Sequence, residues 1–140
     1  MPPVLFDSSV YVGAFRRGGD PSLLFRRWTS GSPVWLSSIA LEELYAGALR
    51  KDHPIIEKLE RDFDAAKRIL VPNLGDWTQT GRILARLAQR YGYESIGKAR
   101  LTNDALLAMS AARTGMTIIT ENLRDFARLA EFRPFSWRPV

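Results

Sequence analysis

The side chains best suited to chemistry are acids, gathered in four segments far apart in a chain of 140 residues. They are Asp7, Glu42-Glu43, Asp104, and Glu121-Asn122 with Asp125. With no cysteine and one histidine, the chain has few other groups that bind metal. Mg²⁺ and Mn²⁺ prefer carboxylate, carbonyl and water oxygens, so clustered acids would form a divalent-cation site. The first hypothesis is metal-dependent hydrolysis, in which a bound ion activates water.

The overall charge favours a phosphate-rich partner. Lys and Arg number 20 against 15 Asp and Glu, which gives a net charge of +5 and a pI near 10.0. Arginine offers bidentate hydrogen bonds to phosphate oxygens as well as charge. A solvated basic surface explains the same excess, so charge leaves both readings open.

The elements that must position the acids form an α/β pattern. Apolar runs predict strands at 4–6, 34–36 and 116–119 and an edge strand at 135–137. Helical spacing, caps and breakers predict the helices 10–12, 22–29, 37–49, 54–70, 76–90, 102–114 and 122–130. Strands separated by helices imply a mainly parallel sheet covered on both faces, within one domain spanning 1–140. No membrane span or secretory signal is evident, and the lack of cysteine is compatible with a cytoplasmic protein.

This topology predicts that the acids converge. In a parallel sheet, the binding crevice lies outside the carboxyl ends of the strands. Asp7 follows the first strand, Glu43 lies one turn into the helix after the second, and Asp104 opens a helix. We expect Asp7 and Asp104 to ligate the metal and Glu43 to align the ion or its water. The candidate supporting hydroxyls are Ser8, Ser9 and Thr120.

Each acid also has a simpler explanation. Asp7 and Asp104 both stand where a helix N-cap is expected. Glu42 and Glu43 point about 100° apart on a helix, so at most one is expected to face the cleft. Asn122 and Asp125 also have a simpler explanation, because either can cap the last helix or pair with a neighbouring side chain on it. Only the combination of these residues favours a functional site.

Other enzyme classes fit the chain less well. A phosphoaspartate phosphatase needs a second Asp two residues after the first, and Ser9 stands there. A receiver domain needs an acidic pair at the first strand, and a dinucleotide site needs a glycine-rich turn after it. A Ser-His-Asp hydrolase would depend on His53, which lies in no nucleophile context.

Three segments, in order, resemble the motifs of one family. Val4 to Val10 resembles an apolar strand followed by D-[ST]-[SN], and Ser37 to Gly47 resembles S-x-[IV]-x-x-x-E-L-x-x-G. Asn103 to Phe126 resembles the closing block D-x-x-[IL]-A…G-x-x-[IVL]-x-T-x-[ND]-x-x-[DE]-F. These are motifs of PIN-domain ribonucleases of the VapC type, the toxin half of bacterial toxin–antitoxin pairs. The resemblance covers essentially the whole chain.

The resemblance implies a fold, a reaction and partners. It implies a three-layer α/β/α sandwich with a mainly parallel sheet of four or five strands. It also implies an endoribonuclease in which Asp7, Glu43 and Asp104 hold Mg²⁺ or Mn²⁺. Asn122 stands where many members have Asp, and Asp125 is expected to supply the missing charge. The implied partners are an RNA substrate, a small antitoxin that blocks the site, and a second copy of the chain in a homodimer.

The sequence leaves one alternative function open, which is binding without catalysis. A non-catalytic module with the same fold would bind RNA or a protein through its arginine surface, with Asn122 marking a weakened metal site. The presence of Asp7, Glu43 and Asp104 argues against this rival.

Overall fold

Short apolar runs build a five-stranded sheet in the computed structural model, which describes residues 2–18, 21, 25, 31–94 and 99–140. The strands are β1 Val4–Phe6, β2 Val34–Ser37, β3 Ile69–Leu70, β4 Thr117–Thr120 and β5 Trp137–Pro139. They lie in the order β3-β2-β1-β4-β5, and every neighbouring pair is parallel. β1 is therefore central, and the predicted parallel sheet is confirmed.

Helices connect and cover these strands. In the described residues they are α1 Ser8–Arg16, α2 Ser38–Gly47, α3 His53–Ala65, α4 Leu74–Tyr91, α5 Ala99–Thr114 and α6 Leu123–Ala130. A short 3-10 turn, Arg50–Asp52, precedes α3. The predicted helix 22–29 lies outside the described residues, apart from Phe25.

The two faces of the sheet carry separate cores, because successive strand residues point to opposite sides. Val4 and Phe6 pack on one face with buried residues of α1, α2 and α3. Leu5 and Ile118 pack on the other face, mainly with residues of α4, α5 and α6. All three residues of β1 are fully buried, as expected for a strand covered on both sides. The predicted three-layer α/β/α fold is confirmed.

The prediction of one helix over 54–70 is wrong in its last part. α3 ends at Ala65, and Lys67 takes a left-handed turn with φ 57°. Ile69 and Leu70 then form β3, which pairs with β2. The apolar spacing continues through Leu70, so the pattern alone does not reveal the turn. A non-glycine residue at positive φ is uncommon, and no sequence signal marks it here.

Four helices begin earlier than predicted, namely α1 at Ser8, α3 at His53, α4 at Leu74 and α5 at Ala99. α4 begins at Leu74 because Asn73 and Asp76 form a reciprocal capping box. α5 begins at Ala99, which places Asp104 inside the helix instead of at its start. The Thr102-Asn103-Asp104 triplet resembles a cap in sequence but does not act as one. α4 ends at Tyr91, one residue beyond its predicted end.

The carboxyl edge of the sheet is where α1, α2 and α6 begin. α1 starts directly after Asp7, α2 after Ser37, and α6 after Asn122. The first turns of three helices thus meet beside the ends of β1, β2 and β4. No helix among the described residues has the length and apolar character needed to cross a membrane.

Candidate active site

Asp7 is buried at the end of the central strand and is held by two hydroxyls. Its side chain is only 1% exposed. Its backbone N–H donates to the carbonyl of Ile119, which fixes the residue to β4. Oδ2 accepts hydrogen bonds from Ser9 Oγ at 2.8 Å and from Thr120 Oγ1 at 3.0 Å. The side chain makes no capping bond to α1, so the simple cap explanation fails for Asp7.

Glu43 is half-buried beside Asp7. Burial is the largest cause that raises the pKa of Glu43, and the negative charge of Asp7 is the second. Hydrogen bonds from the side chains of Ser8 and Asn103 oppose this rise. The structure therefore brings together groups from α1, α2 and α5 that are distant in sequence.

Asp104 meets the loop after β4 through a shared amide. Asp104 is 1% exposed, and its Oδ2 accepts from Asn122 Nδ2 at 2.9 Å. The same Nδ2 donates to Asp125 Oδ2 at 3.1 Å. An aspartate in place of Asn122 would offer no donor and would add a third negative charge here. Asn122 thus links two carboxylates that would otherwise repel each other.

Hydroxyl groups extend this network across the cleft. Thr120 Oγ1 donates to Asp7 and accepts from the backbone N–H of Asn122 at 2.8 Å. Ser9 Oγ donates to Asp7 and accepts from the N–H of Glu121 at 3.2 Å. A continuous chain of hydrogen bonds therefore joins Asp7 to Asp104 through Thr120 and Asn122.

A cleft of about 1010 Å³ opens beside these groups. Charged side chains of both signs line it. The acids are Glu42, Glu43, Glu121 and Asp125, and the cations are Arg16, Arg124 and Arg128. Asp7 and Asp104 lie buried next to the lining residues Ser8, Ser9 and Asn103. The arrangement offers carboxylates for a metal and guanidinium groups for phosphates at one place.

The donor set fits a hard divalent cation in chemistry. Carboxylate, amide and hydroxyl oxygens suit Mg²⁺ or Mn²⁺, and among the described lining residues there is no imidazole or thiol. Within the described ranges, however, no three acidic or histidine side chains are already placed to hold one ion together. Asp7 is turned to two hydroxyls, and Asp104 and Asp125 share one amide. To bind one ion together, these carboxylates would have to turn from those partners.

The expectation that only one of two adjacent glutamates faces the cleft is wrong. Glu42 and Glu43 both line it. Glu42 reaches α5, where its Oε2 accepts from Asn103 Nδ2 at 3.2 Å. A long side chain at the first turns of a helix can bend toward a neighbour, so the angle between adjacent positions does not exclude it.

For several residues that line the cleft, the sequence alone predicts no role. Arg16, Arg124 and Arg128 line the cleft. Arg124 and Arg128 lie four residues apart on either side of Asp125, which places them near the same face of α6. That spacing is the one signal available in the sequence.

Comparisons with known proteins agree on one family. The family model described as the PIN domain matches residues 4–132. The chain is 27% identical over 138 residues to ribonuclease VapC2 of Haemophilus influenzae, covering 95% of this chain and 96% of that protein. It superimposes on the structure of DNA-bound VapBC from Salmonella typhimurium with a TM-score of 0.69, at 22% identity over 99% and 98% of the two chains. VapBC-1 from nontypeable Haemophilus influenzae gives 0.67, at 19% identity over 97% and 96%.

Proposed function

Because the chain belongs to the PIN domain family, we propose that it is a metal-dependent endoribonuclease and the toxin of a toxin–antitoxin pair. The observation that carries the proposal is the hydrogen-bond chain that joins Asp7 to Asp104 through Thr120 and Asn122, together with the closeness of Asp7 to Glu43. Asp7 stands at the N-cap position of α1 without a capping bond from its side chain, and Asp104 lies inside α5. Relatives named ribonuclease VapC, which match along nearly the whole chain, support the reaction class.

We assign the metal to the carboxylates of Asp7, Glu43 and Asp104, with Asp125 beside them. Mg²⁺ or Mn²⁺ bound there would lower the pKa of a water molecule and neutralise charge on a phosphoryl oxygen. Ser8, Ser9 and Thr120 orient the carboxylates by hydrogen bonding, since ligating groups work best when their own partners fix them. Asn122 holds Asp104 and Asp125 on the same side of the cleft.

Glu43 is the residue we assign to orient the attacking water and to accept its proton at a carboxylate oxygen. A carboxylate whose pKa is raised by burial and by a neighbouring negative charge binds a proton more readily. This direction belongs to the metal-free site, because a divalent cation bound beside Glu43 would lower the pKa again. Arg16, Arg124 and Arg128 are placed to bind the phosphates of the RNA strand.

We infer the partners of this protein from those of its relatives. The solved neighbours are VapBC complexes, so we propose a small antitoxin that occupies the cleft and blocks the acids. The proposal includes a homodimer, and action on RNA in the cytoplasm. A non-catalytic binding module of the same fold is the second candidate. The three acids at one cleft argue against it, because buried carboxylates cost stability and a binding surface does not require them.

A cleavage assay with a matched pair of variants tests the proposal. Asp104→Asn should lower the rate of RNA cleavage by at least roughly 100-fold, because even supporting residues of a metal site often cost 10–100-fold. The control is Asp64→Asn, the same change at an exposed position on α3. Melting temperatures of both variants show whether the fold is retained.

The same assay separates the parts of the proposal. Cleavage of total RNA should require Mg²⁺ or Mn²⁺ and stop in EDTA. Activity that persists in EDTA would contradict metal dependence, and full activity of Asp104→Asn would contradict the assigned site. Harmless expression of active protein without an antitoxin would contradict the toxin role.

A further inference from the structure

Arg128 stands at a corner where the acidic cleft meets the end of α4. It lines the cleft, and its guanidinium carbon lies 4.3 Å from the centre of the Tyr91 ring. Tyr91 is held in turn, because its hydroxyl donates to Glu131 at 2.9 Å and 2.7 Å from the two carboxylate oxygens. A guanidinium stacked on a fixed ring loses less freedom when it binds a phosphate.

Two further hollows continue from this corner along α4. The nearer one, of about 570 Å³, is lined by Arg86, Gln89, Arg90, Glu131 and Phe132. The next one, of about 620 Å³, again includes Arg86 and Phe132 and adds Arg82 and Arg133. Glu131 connects the corner to the first hollow, and Arg86 and Phe132 connect the two hollows. The two hollows therefore adjoin each other, and the contacts from Arg128 through Tyr91 to Glu131 link the cleft to the first hollow.

The charge of this surface is strongly positive. We call the cations Arg128, Arg90, Arg86, Arg82 and Arg133 the arginine path. Among the described residues, Arg82, Arg86, Arg128 and Arg133 make no ion pair. Arg90 approaches Glu131 at 3.6 Å, an exposed contact of little energetic weight. Nε of Arg133 is buried without a hydrogen-bond partner, so this side chain has an unused donor.

The spacing and composition of the path suit an extended nucleic-acid strand. Arg82, Arg86 and Arg90 follow one another at four-residue intervals, about 6 Å apart along the helix axis. Phe132 adds an apolar aromatic ring in the middle of the path, partly exposed between the two hollows. Backbone-tracking cations with interleaved aromatic rings are the physical basis of sequence-tolerant binding to single strands.

We propose that the arginine path binds the phosphate backbone of the RNA strand where it leaves the cleft. The inference rests on the proposed function, since it extends the substrate beyond the site of cleavage. An acidic protein segment would match the charge as well. RNA is favoured because the path begins with Arg128 at the cleft itself and because Phe132 supplies aromatic surface along it.

RNA length is the variable that tests this proposal. The path variant is Arg82→Gln with Arg86→Gln, two exposed positions outside the cleft. The matched control is Arg61→Gln with Arg68→Gln, which removes the same charge near β3, at the opposite edge of the sheet from β5. Both pairs are placed in Asp104→Asn protein so that bound RNA stays intact. Equilibrium binding is measured at several salt concentrations with fluorescent RNAs of roughly four and roughly sixteen nucleotides, the range that single-strand surfaces cover.

The path variant should bind the long RNA roughly tenfold more weakly than the control does, with a salt slope lower by about 0.7 for each lost contact. Binding of the short RNA should be the same in both. Equal affinities at both lengths would overturn the proposal, and so would an equal loss at both lengths. Unchanged RNA binding together with weaker binding of poly-glutamate would assign the surface to an acidic protein segment instead.

A separate readout keeps this test independent of the proposed function. The path variant with Asp104 restored should cleave the short RNA in Mn²⁺ as fast as wild type does. If wild-type protein cleaves no RNA, the proposed function fails, while the dependence of binding on RNA length still decides the role of the arginine path.

Discussion

Two buried aspartates of this protein, Asp76 and Asp7, have different kinds of partners. Asp76, 3% exposed, lies where α4 meets the end of α5. Arg113 donates through Nε to both carboxylate oxygens at 3.0 Å, and its Nη2 lies 3.0 Å from Oδ2. The backbone N–H of Asn73 donates to the same carboxylate. The charge of Asp76 is thus compensated inside the protein.

Asp7, 1% exposed, is as deeply buried but receives hydroxyl groups instead of a cation. It makes no ion pair with any described residue. Glu43, a second acid, lies close enough for the charge of Asp7 to raise its pKa. Burial of an uncompensated charge opposes folding, so such a group persists when function requires it. The difference teaches that the partner of a buried acid, more than its burial, separates a structural role from a chemical one.

Asp7→Asn gives the largest expected effect and tests the chemical side of this comparison. Cleavage should fall by at least roughly 100-fold, as for other ligands and supporting groups of metal sites. The melting temperature should stay equal or rise, because a buried negative charge beside Glu43 is removed. A variant that both loses activity and unfolds easily would place Asp7 with Asp76, as a structural residue.

Asp76→Asn tests the structural side. Breaking a buried ion pair costs about 3–5 kcal/mol, and we expect about 2–3 kcal/mol here because Arg113 is 38% exposed. Denaturant unfolding of the variant and wild type measures this loss. Cleavage by the folded fraction should remain near wild type, and a specific loss of activity without loss of stability would break the comparison.

Thr120→Val sharpens the comparison with a smaller change. It removes the hydroxyl that donates to Asp7 and accepts from the N–H of Asn122. We expect cleavage to fall by roughly 10-fold, at the lower end for a group that orients a ligand. Thr120→Ser keeps the hydroxyl and should retain most activity. Equal rates for the two variants would show that the hydroxyl does not orient Asp7.

For stability alone, Glu43→Gln should give the smallest effect, a change in how the stability depends on pH. The folded protein raises the pKa of Glu43, so it holds this proton more tightly than the unfolded chain does. Glu43 therefore favours the fold below its ordinary pKa of 4.5 and loses this contribution as pH rises through the folded pKa. The variant should melt at a higher temperature than wild type at neutral pH, and the gain should vanish in acid. A gain that is the same at all pH values would contradict this cause.

Much of the architecture could be predicted from local sequence pattern. β1, β2 and β4 are short, largely apolar runs, and polar residues mark the start of the helix that follows each of them. The sequence does not predict β3, because its two residues continue the helical spacing of apolar residues that precedes them. The start of α5 was placed too late because Asn103 and Asp104 are good capping residues whose side chains turn to the cleft instead.

The sequence predicts less of the site than of the fold. The positions of Asp7 after β1 and of Glu43 in the helix after β2 follow from parallel topology, which a pattern of alternating elements predicts, whereas Asp104 comes from inside α5. Their hydrogen-bond partners depend on packing between distant segments, as when Thr120 meets Asp7. The cations of the cleft were not predicted, because an arginine on a helix face carries no signal that distinguishes a binding role from solvation.

The edges of the sheet have a consequence for how copies of this protein meet. β3 at one edge contains two residues, and β5 at the other ends with Arg138 and Pro139, both exposed. Short strands, charge and proline all make an edge a poor template for a further strand. When no partner is bound, these edges protect the protein against the edge-to-edge strand pairing from which insoluble aggregates grow.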